Sequence, residues 1–286
     1  SNEIVIIGNP APNGSLSPVT QTICPGTEAV LTMTIDTGTA PFNVSLFDGL
    51  TTYTRNGVNS GDTIHISPNI SSNISYTFMQ DALGCTRTSN FENSAQVIVI
   101  PAISITNISV VDANCFGSSD GTITVTATGG QPPFNYSIDG GTTYQSSNTF
   151  TGLVAGNYDV VFQDGFGCVQ ANGVATVVGQ PTDITHTATH TDASCANVFD
   201  GSISVSATGG VPPYTYSLNG GPTQPGSNFN GLGEGTYTVY VVDAHSCVDT
   251  SSVTIANTYV ISVAVDSQTN ISCFGGFDGS VSVHVV

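Results

Sequence analysis

Cys115 to Gly141 reads CFGSSDGTITVTATGGQPPFNYSIDGG, and Cys195 to Gly221 reads CANVFDGSISVSATGGVPPYTYSLNGG, a shift of 80 residues. A third copy opens at Cys273 as CFGGFDGSVSVHVV. Within each, Thr122 to Thr128 and Ser202 to Thr208 alternate Ile or Val with Thr or Ser, the period of a half-buried strand. The Gly-Gly and Pro-Pro pairs then break the strand and restart it at Phe134 or Tyr214. Asp139-Gly140-Gly141 and Asn219-Gly220-Gly221 supply residues that tolerate positive φ in a tight hairpin.

Both full copies continue alike, through FTGLVAGNYDVVFQDGFGC to Cys168 and FNGLGEGTYTVYVVDAHSC to Cys247. Leu153-x-x-Gly156-x-Tyr158 and Leu232-x-x-Gly235-x-Tyr237 match the corner of Ig-like and fibronectin type III domains, which a tyrosine hydroxyl pins. Residues 1–101 follow a weaker form of the plan, with Cys24, APFNVSLFDG and a close at Cys85. A period near 80 residues suits a small domain and is too long for a solenoid unit. The chain therefore reads as all-β, a tandem array of Ig-like or fibronectin III-like β-sandwich modules. Its divisions are 1–101, 102–181, 182–257 and the truncated start of a further module at 258–286. Linkers are expected near Pro101, Pro181 and Asn257.

Lysine is absent, and Arg55 and Arg87 are the two cations against 20 carboxylates, a formal charge of -18. Phosphate binding needs clustered cations, so nucleic acid is excluded as a partner, and docking on an anionic membrane is disfavoured. No apolar run of about 18 residues exists to span a bilayer. Nor does the chain open on a charged and then apolar leader, so any export signal is expected upstream or already removed. Lys–Asn isopeptide staples are impossible, which leaves stapling to cysteine.

Seven cysteines are present. Their spacings favour one disulfide per module: Cys24 with Cys85, Cys115 with Cys168, Cys195 with Cys247, and a partner for Cys273 beyond Val286. Such pairs imply an oxidising, extracellular setting. Thiolate–metal or catalytic cysteine chemistry would need CxxC spacing or a His partner, and neither is visible.

Aspartate recurs at fixed offsets from these cysteines. Asp120, Asp200 and Asp278 follow the first cysteine by five residues; Asp81, Asp164 and Asp243 precede the second by four; Asp112 and Asp192 precede the first by three. Clustered carboxylates are what Ca²⁺ requires, so a calcium site is one reading. Turn chemistry is the stronger one, because Asp-Gly and D-x-x-G-C segments use such side chains for their own hydrogen bonds. No other cofactor is implied. His186 and His190 share a strand face about 13 Å apart at ~3.3 Å per residue, too far to grip one ion. They and His65, His245 and His284 read as surface or turn residues. A nucleophile elbow, HExxH, a P-loop and a GxGxxG are all missing, so an enzyme is not expected. Tyr53, Tyr144 and Tyr240 are the plausible sugar-stacking platforms in a chain without Trp.

C-x4-DG, ATGG-x-PP-[FY], the GG turn and the closing G-x-Y…C together resemble the SprB repeat, the module iterated in gliding-motility adhesins of the Bacteroidota. The resemblance covers residues 102–286, while 1–101 look more like a generic Ig-like or PKD-like surface domain. It implies export by the type IX secretion system, a filament on the outer cell surface, and adhesion coupled to the gliding machinery. The expected function is a stalk or spacer of a large adhesin, its partners being neighbouring modules. The alternative is a module that binds substratum polysaccharide.

Overall fold

The computed structural model describes residues 8–91, 93–170, 172–259 and 262–286, and every regular element among them is a strand. The first repeat carries β1 (Asn13–Ser17), β2 (Thr20–Ile23), β3 (Ala29–Thr37), β4 (Phe42–Phe47), β5 (Thr52–Val58), β6 (Thr63–Ile66), β7 (Ser72–Gln80), β8 (Thr86–Arg87) and β9 (Ala95–Val99). The second carries β10 (Ser104–Val111), β11 (Gly121–Thr128), β12 (Asn135–Ser137), β13 (Thr149–Leu153), β14 (Gly156–Gln163) and β15 (Val174–Val178). The third carries β16 (Thr185–Thr191), β17 (Ala193–Cys195), β18 (Gly201–Thr208), β19 (Thr215–Leu218), β20 (Asn228–Leu232), β21 (Gly235–Val242), β22 (Val248–Ile255) and β23 (Asn257–Tyr259). A final hairpin pairs β24 (Val263–Thr269) with β25 (Ser280–Val285).

By contacts the chain divides into two units. One takes the residues up to Ser109 with Thr124–Phe150 and Asn157–Thr176; the other takes Val110–Ile123, Thr151–Gly156 and everything from Val177 on. The strands of the second repeat thus fall in both units.

In the first unit, sheet β1-β3-β6 faces a sheet ordered β2-β9-β7-β4-β5, with β8 on β7. Their facing residues follow from alternation: Ala29, Leu31, Met33 and Ile35 point inward from β3, and Phe42, Val44 and Leu46 from β4. With Leu16, Ile64, Ile74, Met79 and Val97 they form one core. Each of these side chains larger than Ala29 contributes about 1.5–3 kcal/mol on burial. Phe162 of β14 is fully buried, its ring 5.2 Å from Phe134 and 5.3 Å from Tyr136.

The second unit holds sheets β16-β18-β20 and β19-β21-β22 around Ile203, Val205, Tyr216, Val239, Val241, Val253 and Ile255. Asn257, expected in a linker, instead lies in β23, which runs parallel to β17 in the register Ala193–Asn257 and Cys195–Tyr259. The predicted corner is present in the third repeat, where the Tyr237 hydroxyl donates to the Gly233 carbonyl at 3.1 Å. The turn glycines sit as expected, with Gly140, Gly141 and Gly220 at positive φ and Asn219 at φ 52°.

Candidate functional site: the junctions between repeats

Three recurring local structures meet where one repeat follows another. The first is an opening turn. After each first cysteine the chain folds back, and its carbonyl accepts the N–H three residues on: Thr27 to Cys24 at 3.1 Å, Ser118 to Cys115 at 3.1 Å, Val198 to Cys195 at 3.2 Å and Gly276 to Cys273 at 2.9 Å.

The second is a closing turn held by one carboxylate. Asp243 Oδ1 accepts the N–H groups of His245 and Cys247, both at 2.9 Å, while its Oδ2 accepts that of Val211 at 2.8 Å. Asp164 does the same for Phe166, Cys168 and Gln131, and Asp81 for Leu83, Cys85 and Thr39. All three carboxylates are buried. Burial raises the carboxyl pKa of Asp81 and Asp243, but the N–H donors outweigh it and leave both below the ordinary value. This grip explains the second glycine of each Gly-Gly pair, the first being held by backbone, where a Cβ would come within 2.0 Å of Ala102 O or 1.9 Å of Asp183 O. Gly130 (φ +70°) and Gly210 (φ +57°) lie so close that a Cβ would come within 2.8 Å of Asp164 Cβ and 2.6 Å of Asp243 Oδ2.

The third is the exit strand, tied beside the opening turn. Ala113 N–H donates to Gly179 O at 3.0 Å and Asp112 Oδ1 accepts Gly179 N–H at 2.7 Å; at the next junction Ala193 N–H donates to Ala256 O and Asp192 Oδ1 accepts Ala256 N–H, both at 2.9 Å. The GG loop also meets the preceding segment, Gly130 N–H reaching Pro101 O at 3.1 Å and Gly210 N–H reaching Thr182 O at 2.9 Å.

The disulfides close these junctions, and they correct the expected pairing. Cys24 is bonded to Cys168 and Cys115 to Cys247, with Cα–Cα distances of 5.5 and 5.7 Å; Cys85, Cys195 and Cys273 are free thiols. The opening cysteine of one repeat is therefore joined to the closing cysteine of the next. The pairs Cys24–Cys85, Cys115–Cys168 and Cys195–Cys247 are not formed, because the exit strand brings the following repeat's closing turn onto the opening turn of the repeat before it. Hollows of about 160 and 260 Å³ flank the two bonds, the first lined by Pro25, Ile103 and Val169, the second by Phe116, Ile184 and Val248.

The recurring aspartates considered for calcium, Asp81 among them, accept hydrogen bonds. Asp120 accepts from Asn114 N–H (3.0 Å), Asn114 Nδ2 (2.6 Å) and Ser118 Oγ (2.5 Å); Asp200 accepts from Ser194 N–H (2.9 Å) and Asp278 from Ser272 N–H (3.0 Å). Asp112, Asp192, Asp164 and Asp243 are bound as above. Among the described residues no three His, Cys, Asp or Glu side chains are grouped to hold a metal. These contacts are those of turn-making side chains.

One histidine departs from the surface reading. The His186 side chain is 1 % exposed, its Nδ1 lying 2.7 Å from Asp249 Oδ2 and its Nε2 2.6 Å from Ser251 Oγ. Asp249 and Ser251 are two apart on β22 and so share a face, clasping an imidazole that comes from β16 of the facing sheet. With both nitrogens engaged and the ring closed off from water, this Ser–His–Asp contact ties the two sheets together. Sequence reasoning missed it; the signal available was a D-x-S alternation on a strand. His65 pairs with exposed Glu28 at 3.0 Å, His190 lies 3.5 Å from Asp192, His245 Nδ1 is 3.1 Å from Asn114 O, and His284 contacts Asp266.

Of the aromatic candidates, Tyr53 is half-buried and donates to Asp48 at 2.9 Å, Tyr144 is exposed and Tyr240 half-buried. A hollow of about 400 Å³ lies elsewhere, in the first repeat, lined by Tyr76, Phe91, Ser89, Asn90 and Asn93, with the two rings 5.4 Å apart.

Residues 107–143 and 187–223 match the family model described as SprB repeat. No curated protein matches the sequence. Among solved structures the chain is similar to the N-terminal four Ig domains of Dscam1 isoform 1.9 (15 % identity, 89 % of this chain and 74 % of that one, TM-score 0.24). It is also similar to fibronectin(III)-like modules of Clostridium thermocellum CbhA (18 %, 58 % and 94 %, TM-score 0.31). A third is a C-terminal 282-residue fragment of intimin in complex with the translocated intimin receptor intimin-binding domain (17 %, 57 % and 67 %, TM-score 0.33). Likenesses at these scores carry nothing about what this chain binds.

Proposed function

We propose that this chain is a load-bearing spacer of a cell-surface adhesin, of the kind exported by type IX secretion and coupled to gliding. The SprB repeat matches support the adhesin class. The observation that carries the load-bearing reading is the interleaving of Cys24–Cys168 with Cys115–Cys247. Between the two cross-links three stretches of chain run mechanically in parallel: Cys24 to Cys115, Cys115 to Cys168 and Cys168 to Cys247. The shortest limits the others. Full extension between the cross-links falls from roughly 750 Å of free contour to roughly 180 Å at ~3.4 Å per residue. The first and third repeats cannot be drawn out straight even if all strands unravel. Single-molecule pulling on the 286-residue chain tests this: a reductant should add roughly 570 Å to the final length. Equal final lengths with and without reductant would show that the cross-links carry no load.

A second reading, polysaccharide binding, is favoured by the hollow beside Phe91, whose half-buried ring lies among Asn and Ser groups able to meet sugar hydroxyls. Retention on immobilised polysaccharide, lost in Phe91→Ala, would support it; equal elution of both proteins would count against it.

A further inference from the structure

The opening cysteine of the third repeat is built like the two that are bonded, and it is free. Cys195 is half-buried, its carbonyl closes the same three-residue turn, and Asp192 and Ala193 hold Ala256 just as Asp112 and Ala113 hold Gly179. β17 and β23 then lay the exit strand beside this cysteine, with Tyr259 opposite Cys195 in the register. A second observation concerns the repeat that follows. Val281 and Val283 of β25 are 64 % and 52 % exposed, where the matching Ile203 and Val205 of β18 are 1 % and 4 % exposed. That strand face is one that the later strands of a repeat cover in the third repeat.

We propose that Cys195 is a docking point for the closing turn, D-x-x-[GS]-C, of a following repeat, and that the bond formed there is Cys195 to that closing cysteine, with Cys273 left for the repeat beyond. Every junction would then be cross-linked one step out of phase with the repeats, in a continuous ladder. Cys85 sits at the opposite end of the same logic. It lies in a finished closing turn, Asp81 accepting its N–H at 2.8 Å, and would take an opening cysteine by the same geometry as Cys168 and Cys247 do. The pairing rests on the two bonds observed and not on the load-bearing reading, so either can fail alone.

Bond formation needs a two-electron oxidant, here a small-molecule disulfide such as oxidised glutathione. The Cys195 thiolate attacks it and releases one glutathione thiol. The closing thiolate then displaces the second, so two protein thiols become one disulfide and the reagent becomes two thiols.

The test extends the chain after Val286 with a copy of residues 209–259, which continues the register of β25 and supplies a copy of Cys247. After oxidation, free thiols are alkylated and the disulfide-linked peptides mapped. The expected link joins Cys195 to the copied cysteine, with Cys85 and Cys273 alkylated. Cys273→Ser should leave that link intact, and Cys195→Ser should leave the copied cysteine alkylated. A link from Cys273 to the copied cysteine would overturn the proposal. A second extension, residues 129–179 with a copy of Cys168, guards against one unfolded fusion; an alkylated Cys195 in both also overturns it.

Discussion

Asp243 binds Cys247 and Val211 at once, taking the N–H of the first on Oδ1 at 2.9 Å and that of the second on Oδ2 at 2.8 Å. One buried carboxylate thus fixes both the turn that presents the junction sulfur and the glycine loop beside it. Asp243→Ala leaves three N–H groups without their acceptor and should cost about 2–4 kcal/mol. It should also speed reduction of Cys115–Cys247 by a mild thiol. A melting temperature and reduction rate equal to those of the parent would contradict the clamp.

The glycine next to it gives a sharper contrast. Gly210→Ala must place a Cβ 2.6 Å from Asp243 Oδ2 at φ +57°, whereas Gly220→Ala, at φ +68°, meets nothing within 4 Å. The second should cost only the left-handed backbone penalty, about 1–2 kcal/mol, and the first clearly more. Chemical denaturation ranks them, and equal losses would mean that crowding against the carboxylate is unimportant.

His186→Ala empties a closed site and takes away the partner of Asp249 Oδ2 and Ser251 Oγ, so a loss of about 2–4 kcal/mol is expected. Ser251→Ala removes one partner and should cost about 1 kcal/mol. Urea unfolding of the two variants measures the difference. A His186→Ala protein as stable as the parent would show that the imidazole does not tie the sheets.

Acid should weaken the fold in a defined window. Hydrogen bonds from Thr143 and Ser137 hold the Asp139 carboxyl at about 2. Those from Ser118 and Asn114 lower Asp120, those from Ser194 lower Asp200, and those from Ser272 lower Asp278. A pKa lower in the folded state than the ordinary value near 3.9 contributes stability that is complete above about pH 4 and is lost as pH falls toward 2. Protonation also relieves the repulsion of the -18 charge, so melting should be followed at about 0.5 M salt, where that repulsion is screened. Melting temperatures that hold or rise between pH 4 and 2 would refute the contribution.

Much of this was legible locally. Period-2 alternation in ITVTAT and ISVSAT marks the strands, and the D-x-x-G-C turns close on their own aspartates within four residues, so spacing alone predicts strand and turn; the reach of the same carboxylates to the GG loops, 33 and 32 residues away, was not legible. The sulfur pairing was not legible. Cys115 lies closer in sequence to Cys168 than to Cys247, and only the exit strand at Gly179 decides which closing turn reaches it. The His186 clasp was hidden for the same reason, its partners lying 63 and 65 residues away.

The two arginines make the central claim, cross-linking between successive repeats, directly measurable. Trypsin cuts after Arg55 and Arg87 and nowhere else, giving residues 1–55, 56–87 and 88–286. Under denaturing, non-reducing conditions the Cys24–Cys168 bond keeps 1–55 attached to 88–286 and releases 56–87 with a free Cys85 thiol. Recovery of 1–55 joined to 56–87, with 88–286 separate, would place the bond within the first repeat and contradict the account.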